Sequence, residues 1–362
     1  MKRVLVISGS SGGHIFPALA FLDSLRENKE IDVLLVLPKK NILNLSVNHS
    51  YQLRYISVTP LRPGLSWSNL LACVRFFQGT LESAGLLLSF RPHIVVGFGS
   101  IVSVAMILLA RILGIKTLIH EQNVIPGRAN RFLAKFADSI AISFIESSSY
   151  FTGFRNKIIL TGNPLRPSLT LVDKAKGLDF FGLKPGKFTM LVIGGSQASK
   201  RVNAAFLESL AAIADKSGLQ VIHLSGALEL GRVERAYKEL GVTSRCFAFL
   251  DKMQYAYSCS DLVISRAGAT TISEIIFFEL ATVLIPYPYA YRHQLANAKA
   301  LENIGAALIV EEDALETGML TKVIKGFLDN PERIRAMRSS YAHLKKIDAR
   351  GLFREAVISL NS

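Results

Sequence analysis

His14 is the residue whose surroundings most invite chemistry. It closes the run Ser8-Gly9-Ser10-Ser11-Gly12-Gly13-His14, which follows the apolar stretch Arg3–Ile7. A glycine-rich turn between a strand and a helix lets backbone amides approach a phosphate and aims a helix N-terminus at it. A histidine just past such a turn has a near-neutral pKa that suits a general base. The same turn can equally be a tight connection and nothing more. Neither half of the chain carries the lysine of a P-loop, and Gly97-Phe98-Gly99 lacks the third glycine of a dinucleotide fingerprint. A second run, Ser265-Arg266-Ala267-Gly268-Ala269-Thr270-Thr271-Ile272-Ser273-Glu274, follows another apolar stretch and opens a helix. Its amides suit a diphosphate, and Glu274 suits two vicinal ribose hydroxyls. Thr271 and Glu274 also have capping-box spacing, which would make Glu274 a helix cap only. No Asp-x-Asp occurs anywhere. A metal-bridged nucleotide diphosphate is therefore not expected, and leaving-group charge falls to amides, helix ends and an arginine.

The elements that must position these residues come as two similar halves. Each opens with a strand and a glycine turn: Arg3–Ile7 before Gly9, and Phe188–Ile193 before Gly194-Gly195-Ser196-Gln197. Helical patterns follow from Pro17 to about Glu27 and from about Val202. Further apolar runs alternate with helices at Val33–Leu37, Ile94–Val96, Thr117–Ile119 and Ile158–Leu160, then at Val221–Leu224, Leu262–Ile264 and Val283–Ile285. Continuous β-branched runs between helices mark parallel strands buried on both faces. The fold class is thus α/β: two doubly wound parallel-sheet domains, with the boundary near Gly162-Asn163-Pro164.

The 362 residues are ample for two such domains, and 50% are apolar against 19% charged, so large cores can form. Cys73, Cys246 and Cys259 are far apart and odd in number. That excludes a disulfide framework and a cysteine-ligated zinc, and fits a reducing cytosol. The net charge of +14 points to an anionic partner. From Val33 to His120 the only acid is Glu82, against eight Lys or Arg. Inside that stretch lies an apolar segment with Trp67, Leu70, Leu71, Val74, Phe76 and Phe77, and Arg62, Arg75 and Arg91 around it. Such a segment suits a peripheral protein on an anionic bilayer. It equally suits a core helix beside a solvated basic face. The apolar run Val4–Ile7 is too short for a signal peptide, and Ile101–Ile115 is short and holds Arg111, so no bilayer-spanning segment is expected. Aromatic and basic residues interleave only around Trp67–Phe77, which argues against nucleic acid.

Taken together, the motifs resemble the MurG family of peripheral membrane glycosyltransferases. The matching blocks run in order: Gly12-Gly13-His14 with Phe16-Pro17; His120-Glu121-Gln122-Asn123 with Pro126-Gly127; Gly162-Asn163-Pro164-Leu165-Arg166; Gly194-Gly195-Ser196-Gln197; Phe249-Leu250-Asp251-Lys252-Met253; Ser265–Ala269 through Ser273-Glu274; and His293-Gln294 with Asn297-Ala298. The resemblance implies a GT-B fold of two Rossmann-like domains facing across a cleft. Residues 1–163 would form the acceptor and membrane domain, completed by a C-terminal helix from about 342. Residues 164–341 would bind the donor. The implied reaction moves GlcNAc from UDP-GlcNAc to the 4-hydroxyl of MurNAc in lipid I, by single inverting displacement without metal or cofactor, at the cytoplasmic face of the membrane. Further implied partners are other proteins of cell-wall synthesis and division.

Carried over by position, His14 matches the base, and Ser11, Gly12 and Gly13 match the turn beside donor sugar and diphosphate. Asn123 and Gln294 match ligands of the sugar hydroxyls. Arg166 and Ser196 match diphosphate contacts, and the Leu250 backbone matches the uracil contact. Ala269, Thr270, Thr271, Ile272 and Ser273 match the diphosphate-binding helix start, and Glu274 the ribose carboxylate. Ser10, Ser100-Ile101, Ala198-Ser199, Glu279 and Ala281 stand where the family has other residues, often glycine. Two other readings stay open: a transferase of the same fold acting on diacylglycerol, and a catalytically silent nucleotide-sugar-binding scaffold.

Overall fold

The computed structural model describes residues 2–26, 30–39, 51–58, 67–194, 199–289, 293–344 and 347–360. The chain forms two compact units, residues 1–166 with 347–362, and residues 167–346.

In the first unit, β1 (Lys2–Ser8), β2 (Ile31–Pro38), β3 (Gln52–Ile56), β4 (Ile94–Phe98), β5 (Lys116–Glu121), β6 (Ser139–Ile142) and β7 (Ile158–Leu160) make one parallel sheet, ordered β3-β2-β1-β4-β5-β6-β7. Its helices are α1 (Gly12–Leu25), α2 (Trp67–Phe90), α3 (Val102–Ile112) and α4 (Arg128–Leu133). Side chains along β1 alternate between the faces, as a pleated strand requires. Val4 and Val6 join one core with Phe21 and Leu22 of α1, while Leu5 and Ile7 join the other with Met106 and Ile107 of α3.

In the second unit, β8 (Phe188–Ile193), β9 (Leu219–Leu224), β10 (Thr243–Phe247), β11 (Leu262–Ser265), β12 (Thr282–Leu284) and β13 (Ala307–Ile309) are ordered β10-β9-β8-β11-β12-β13, again parallel. They are served by α5 (Lys174–Phe180), α6 (Lys200–Ala211), α7 (Leu230–Leu240), α8 (Met253–Cys259), α9 (Ala269–Phe278), α10 (His293–Asn303), α11 (Met319–Asp329) and α12 (Glu332–Ser339). The last helix, α13 (Ala349–Ser359), returns to the first unit, where Phe353 packs edge-on against Phe21 at 4.6 Å.

Three details differ from the reading of the sequence. α1 begins at Gly12 and keeps Pro17 inside it, so His14 stands in the first helical turn. The division of the chain falls after Arg166, because that guanidinium lies over the Phe16 ring of α1 at 5.1 Å. The returning segment starts at Ile347 rather than near residue 342, because the Tyr341 hydroxyl donates to the Leu280 carbonyl of the second unit.

In each sheet the chain order reverses beside the first strand, between β1 and β4 and between β8 and β11. Crevices at the carboxyl ends of strands on either side of such a reversal are where open α/β sheets bind ligands.

Candidate active site

At the reversal in the first sheet, Ser11 is the N-cap of α1 with extended backbone, yet its hydroxyl caps no amide. Its Oγ lies 2.6 Å from Nδ1 of His14 instead. The other edge of the imidazole rests on Gly99, at φ +72°, where a Cβ would come within 3.1 Å of both Cδ2 and Nε2. A side chain there would be strained at that φ and would push the ring aside by a few tenths of an ångström. Ser100, at φ +68°, presses its Cβ toward Gly9 of the first turn in the same way. The ring is half-buried, and desolvation lowers its pKa to about 4. That corrects the near-neutral expectation: the ring is neutral at physiological pH, ready to accept a proton, and a weaker base than a solvated imidazole. Gly12 and Gly13 open the helix here, Gly13 exposed to solvent.

The His120–Asn123 block divides its labour. His120 is fully buried, its ring 5.1 Å from those of Phe98 and Phe353, and burial lowers its pKa to about 4. Its Nε2 donates to the Gly162 carbonyl at 3.2 Å, while Nδ1 accepts from the Gln122 amide. It is a neutral core histidine that ties β5 to the end of β7. Glu121 is also buried. Its carboxylate accepts from the Asn123 amide N–H, the Gly127 N–H, and the side-chain amides of Asn123 and Asn130, and desolvation raises its pKa. One carboxylate thus shapes the whole segment that carries Asn123.

At the reversal in the second sheet, α9 starts from Gly268, its extended N-cap, with Ala269, Thr270 and Thr271 in the first turn. First-turn amides have no intrahelical acceptor and so suit an anion. The Ile272 N–H is already bonded to the Gly268 carbonyl, and the Ser273 hydroxyl donates to the Ala269 carbonyl. Those two expected ligands are engaged within the helix. Thr271 stands inside the helix and Glu274 nearly two turns in, so the capping-box alternative fails. Glu274 is buried and receives the Tyr257 hydroxyl of α8 at 2.7 Å. Leu250 is buried in the loop between β10 and α8.

Gln294 of α10 accepts through Oε1 from the amides of Ala267 and Tyr287, which turns its NH2 group away from both and fixes the amide's orientation. Asn297 donates to the Ala267 carbonyl. Arg266, buried, donates to Ile285, Pro286 and Ser199, pairs with Glu312 and lies 5.4 Å from the Tyr287 ring. It pulls the loops around the α9 start together. Ser196 lies outside the described residues. No group of three or more His, Cys, Asp or Glu among the described residues is placed to hold a metal ion.

Reading the sequence missed Arg266, Tyr257 and Asn130 as supporting residues. Arg266 and Asn130 carried a signal, since each lies in or just beyond a motif block; Tyr257 carried none.

On α2, Leu71, Val74, Phe77, Leu81 and Leu88 form an exposed stripe, with Phe77 66% exposed. Phe76, expected in the same patch, packs on the core, because its helical angle faces inward. Arg75 is half-buried, and the side chains of Trp67 and Leu70 lie outside what is described. Among the described residues no helix is long and apolar enough to cross a membrane.

Residues 4–142 match the glycosyltransferase family 28 N-terminal domain, and residues 189–350 match its C-terminal domain. A UDP-N-acetylglucosamine–N-acetylmuramyl-(pentapeptide) pyrophosphoryl-undecaprenol N-acetylglucosamine transferase of Halothermothrix orenii is 36% identical over 358 residues, 96% of each chain. One of the same name from Listeria welshimeri is 32% identical over 99% of each. The chain belongs to the MurG family, within glycosyltransferase family 28. A crystal structure of Acinetobacter baumannii MurG superposes with a TM-score of 0.78 at 25% identity, covering 99% of this chain and all of that one. The two units are the paired Rossmann-like domains of the family's GT-B fold.

Proposed function

We propose that this enzyme transfers N-acetylglucosamine from UDP-N-acetylglucosamine to the 4-hydroxyl of the N-acetylmuramyl sugar in lipid I, at the cytoplasmic face of the membrane. The observation that carries the mechanism is His14, neutral and pinned between Ser11 and Gly99 at the reversal of the first sheet. In this reading His14 takes the proton from the acceptor hydroxyl as that oxygen attacks C1 of the donor sugar from the face opposite UDP. Inversion at C1 follows from a single displacement. The α9 amides and Arg166 meet the charge growing on the diphosphate, Glu274 grips the ribose, and the Leu250 backbone reads the uracil. Asn123 and the NH2 group of Gln294 hold sugar hydroxyls. No metal or cofactor has a part in this reading. The names of relatives along the whole chain support the substrate pair. The exposed stripe on α2, near Arg75 and Arg91, supports an anionic membrane surface as the place where lipid I is met.

The test is transfer of radiolabel from UDP-N-acetylglucosamine to a short-chain lipid I analogue, without added metal. Wild-type protein is expected to form labelled lipid product. His14→Ala is expected to lower kcat by about 10²–10⁴-fold, the span of general base catalysis, with little change in UDP affinity. Loss of UDP affinity instead would reassign His14 to the diphosphate.

A further inference from the structure

Asn130, in the first turn of α4, is 2% exposed. Both hydrogens of its amide are committed: Nδ2 donates to the His120 carbonyl at 2.9 Å and to Glu121 Oε2 at 2.8 Å. Two acceptors on Nδ2 fix which end is oxygen. That oxygen, Oδ1, is buried and accepts no hydrogen bond. A buried carbonyl without a donor is costly and calls for an explanation. His14 lies near the same side-chain amide: a Cβ on Gly99 would sit 3.1 Å from Nε2 of His14 and 3.5 Å from Nδ2 of Asn130. The ring's far nitrogen and the Asn130 amide therefore lie against the same glycine, while Nδ1 faces Ser11.

We propose that Asn130 is a positioning residue for His14: its Oδ1 receives the Nε2 hydrogen, directly or across one water, once the ring becomes an imidazolium, and Glu121 holds the amide in that orientation. The inference rests on the reading of His14 as base. In the step, Ser11 yields its place on Nδ1 to the acceptor hydroxyl. The hydroxyl proton passes to Nδ1, the acceptor oxygen bonds to C1, and the C1–oxygen bond to UDP breaks with its electron pair leaving on the diphosphate. The hydrogen on Nε2 stays there and is shared with Asn130. A partly desolvated cation is stabilised by such an acceptor without the permanent charge of a carboxylate. The titratable groups facing the ring are His120 on β5 and Glu121 behind Asn130, while α4 carries Arg128 and Arg131 and α1 carries Asp23 at its far end. β4 and the Gly99–Ser100 turn contribute none, β1 carries Lys2 and Arg3 at its opposite end, and α13 carries Arg350, Arg354 and Glu355.

The test uses the full chain with isotope-labelled histidine. His14 is titrated by NMR in the unliganded protein, its signal assigned by its loss in His14→Ala, and steady-state kinetics run in parallel. Asn130→Ala is expected to lower kcat by about ten-fold, with the KM for UDP-N-acetylglucosamine within about two-fold. The double variant Glu121→Gln with Asn130→Asp keeps an amide–carboxyl pair but moves the carboxyl next to the ring. It is expected to raise the His14 pKa by about one unit or more. A purely structural role would lower Tm and leave the titration in place. An unmoved titration in the folded double variant, or unchanged kcat in folded Asn130→Ala, overturns the proposal. Because the titration needs no substrate, it judges Asn130 even if transfer to lipid I is not observed.

Discussion

At the scale of single residues, position in a helix decides what Glu274 does. Its carboxylate is buried, held by Tyr257 and too far along α9 to cap it. On the proposed ribose contact, Glu274→Gln is expected to weaken UDP binding by about ten-fold, while uracil alone binds as before, measured by calorimetry. Unchanged UDP affinity would leave Glu274 as a partner for Tyr257 only. The sequence made this residue a candidate through its motif. It did not reveal Tyr257, because a residue seventeen positions away meets Glu274 only once α8 packs on α9.

At the scale of elements, three described positions hold side chains where the conformation favours glycine, Arg91 after α2 at φ +48° being one. Glu279 closes α9 at φ +52°, and Ser100 follows β4 at φ +68°. Glu279 and Ser100 take the left-handed conformation in spite of their side chains. Replacing Glu279 by glycine is expected to stabilise the second unit by about 1 kcal/mol, since the left-handed region then carries no Cβ penalty. Thermal unfolding checks this, and an unchanged or lower Tm would contradict it. On α2 the exposed stripe makes a second prediction. Leu71→Asp with Phe77→Asp should abolish binding to anionic vesicles while leaving helix content intact, and wild-type binding should fall as salt is added. Binding by the double variant equal to wild type would remove α2 from the membrane reading. Strands β3, β6, β10 and β13 escaped the reading of the sequence: β6 and β13 are only four and three residues long, and β3 and β10 lie at sheet edges. Their half-exposed, polar-containing runs (Gln52–Ile56 and Thr243–Phe247) lack the continuous apolar signature of a central strand.

At the scale of the whole molecule, each unit buries a neutral histidine. His120 is held near pKa 4 and His223 near 3, both chiefly by desolvation. His223 sits between the Tyr237 hydroxyl and Asn203. For both, the folded pKa lies below the unfolded value of 6.5. Their stabilisation is therefore present above pH 6.5 and is lost as pH falls toward the folded values. Going from pH 6.5 to 5 should cost about 2 kcal/mol per histidine. Glu121 acts in the opposite sense: its raised pKa favours the folded chain at low pH and weakens it as pH rises. With His14, also held near 4, three histidines stand against one raised carboxyl, and urea unfolding midpoints are expected to fall between pH 7 and pH 5. A midpoint that holds or rises would show that these rings are not held neutral.

The sequence by itself determined the α/β class, the two repeated halves, the central strands other than β6 and the motif blocks, because continuous apolar runs and glycine turns are local signals that survive any packing. It also placed His14, Glu274 and Gln294 among the candidates. Only the tertiary structure decided what each is packed against and bonded to. His120 is a core residue and His14 is not, since one ring lies between Phe98 and Phe353 and the other against a glycine. Arg266 organises loops that come together only when β11, β12 and α6 pack. Helix α13 completes the first unit through Phe353, 332 residues from its Phe21 contact. Burial and hydrogen-bond pairing depend on residues far apart in the chain, and no local pattern records them.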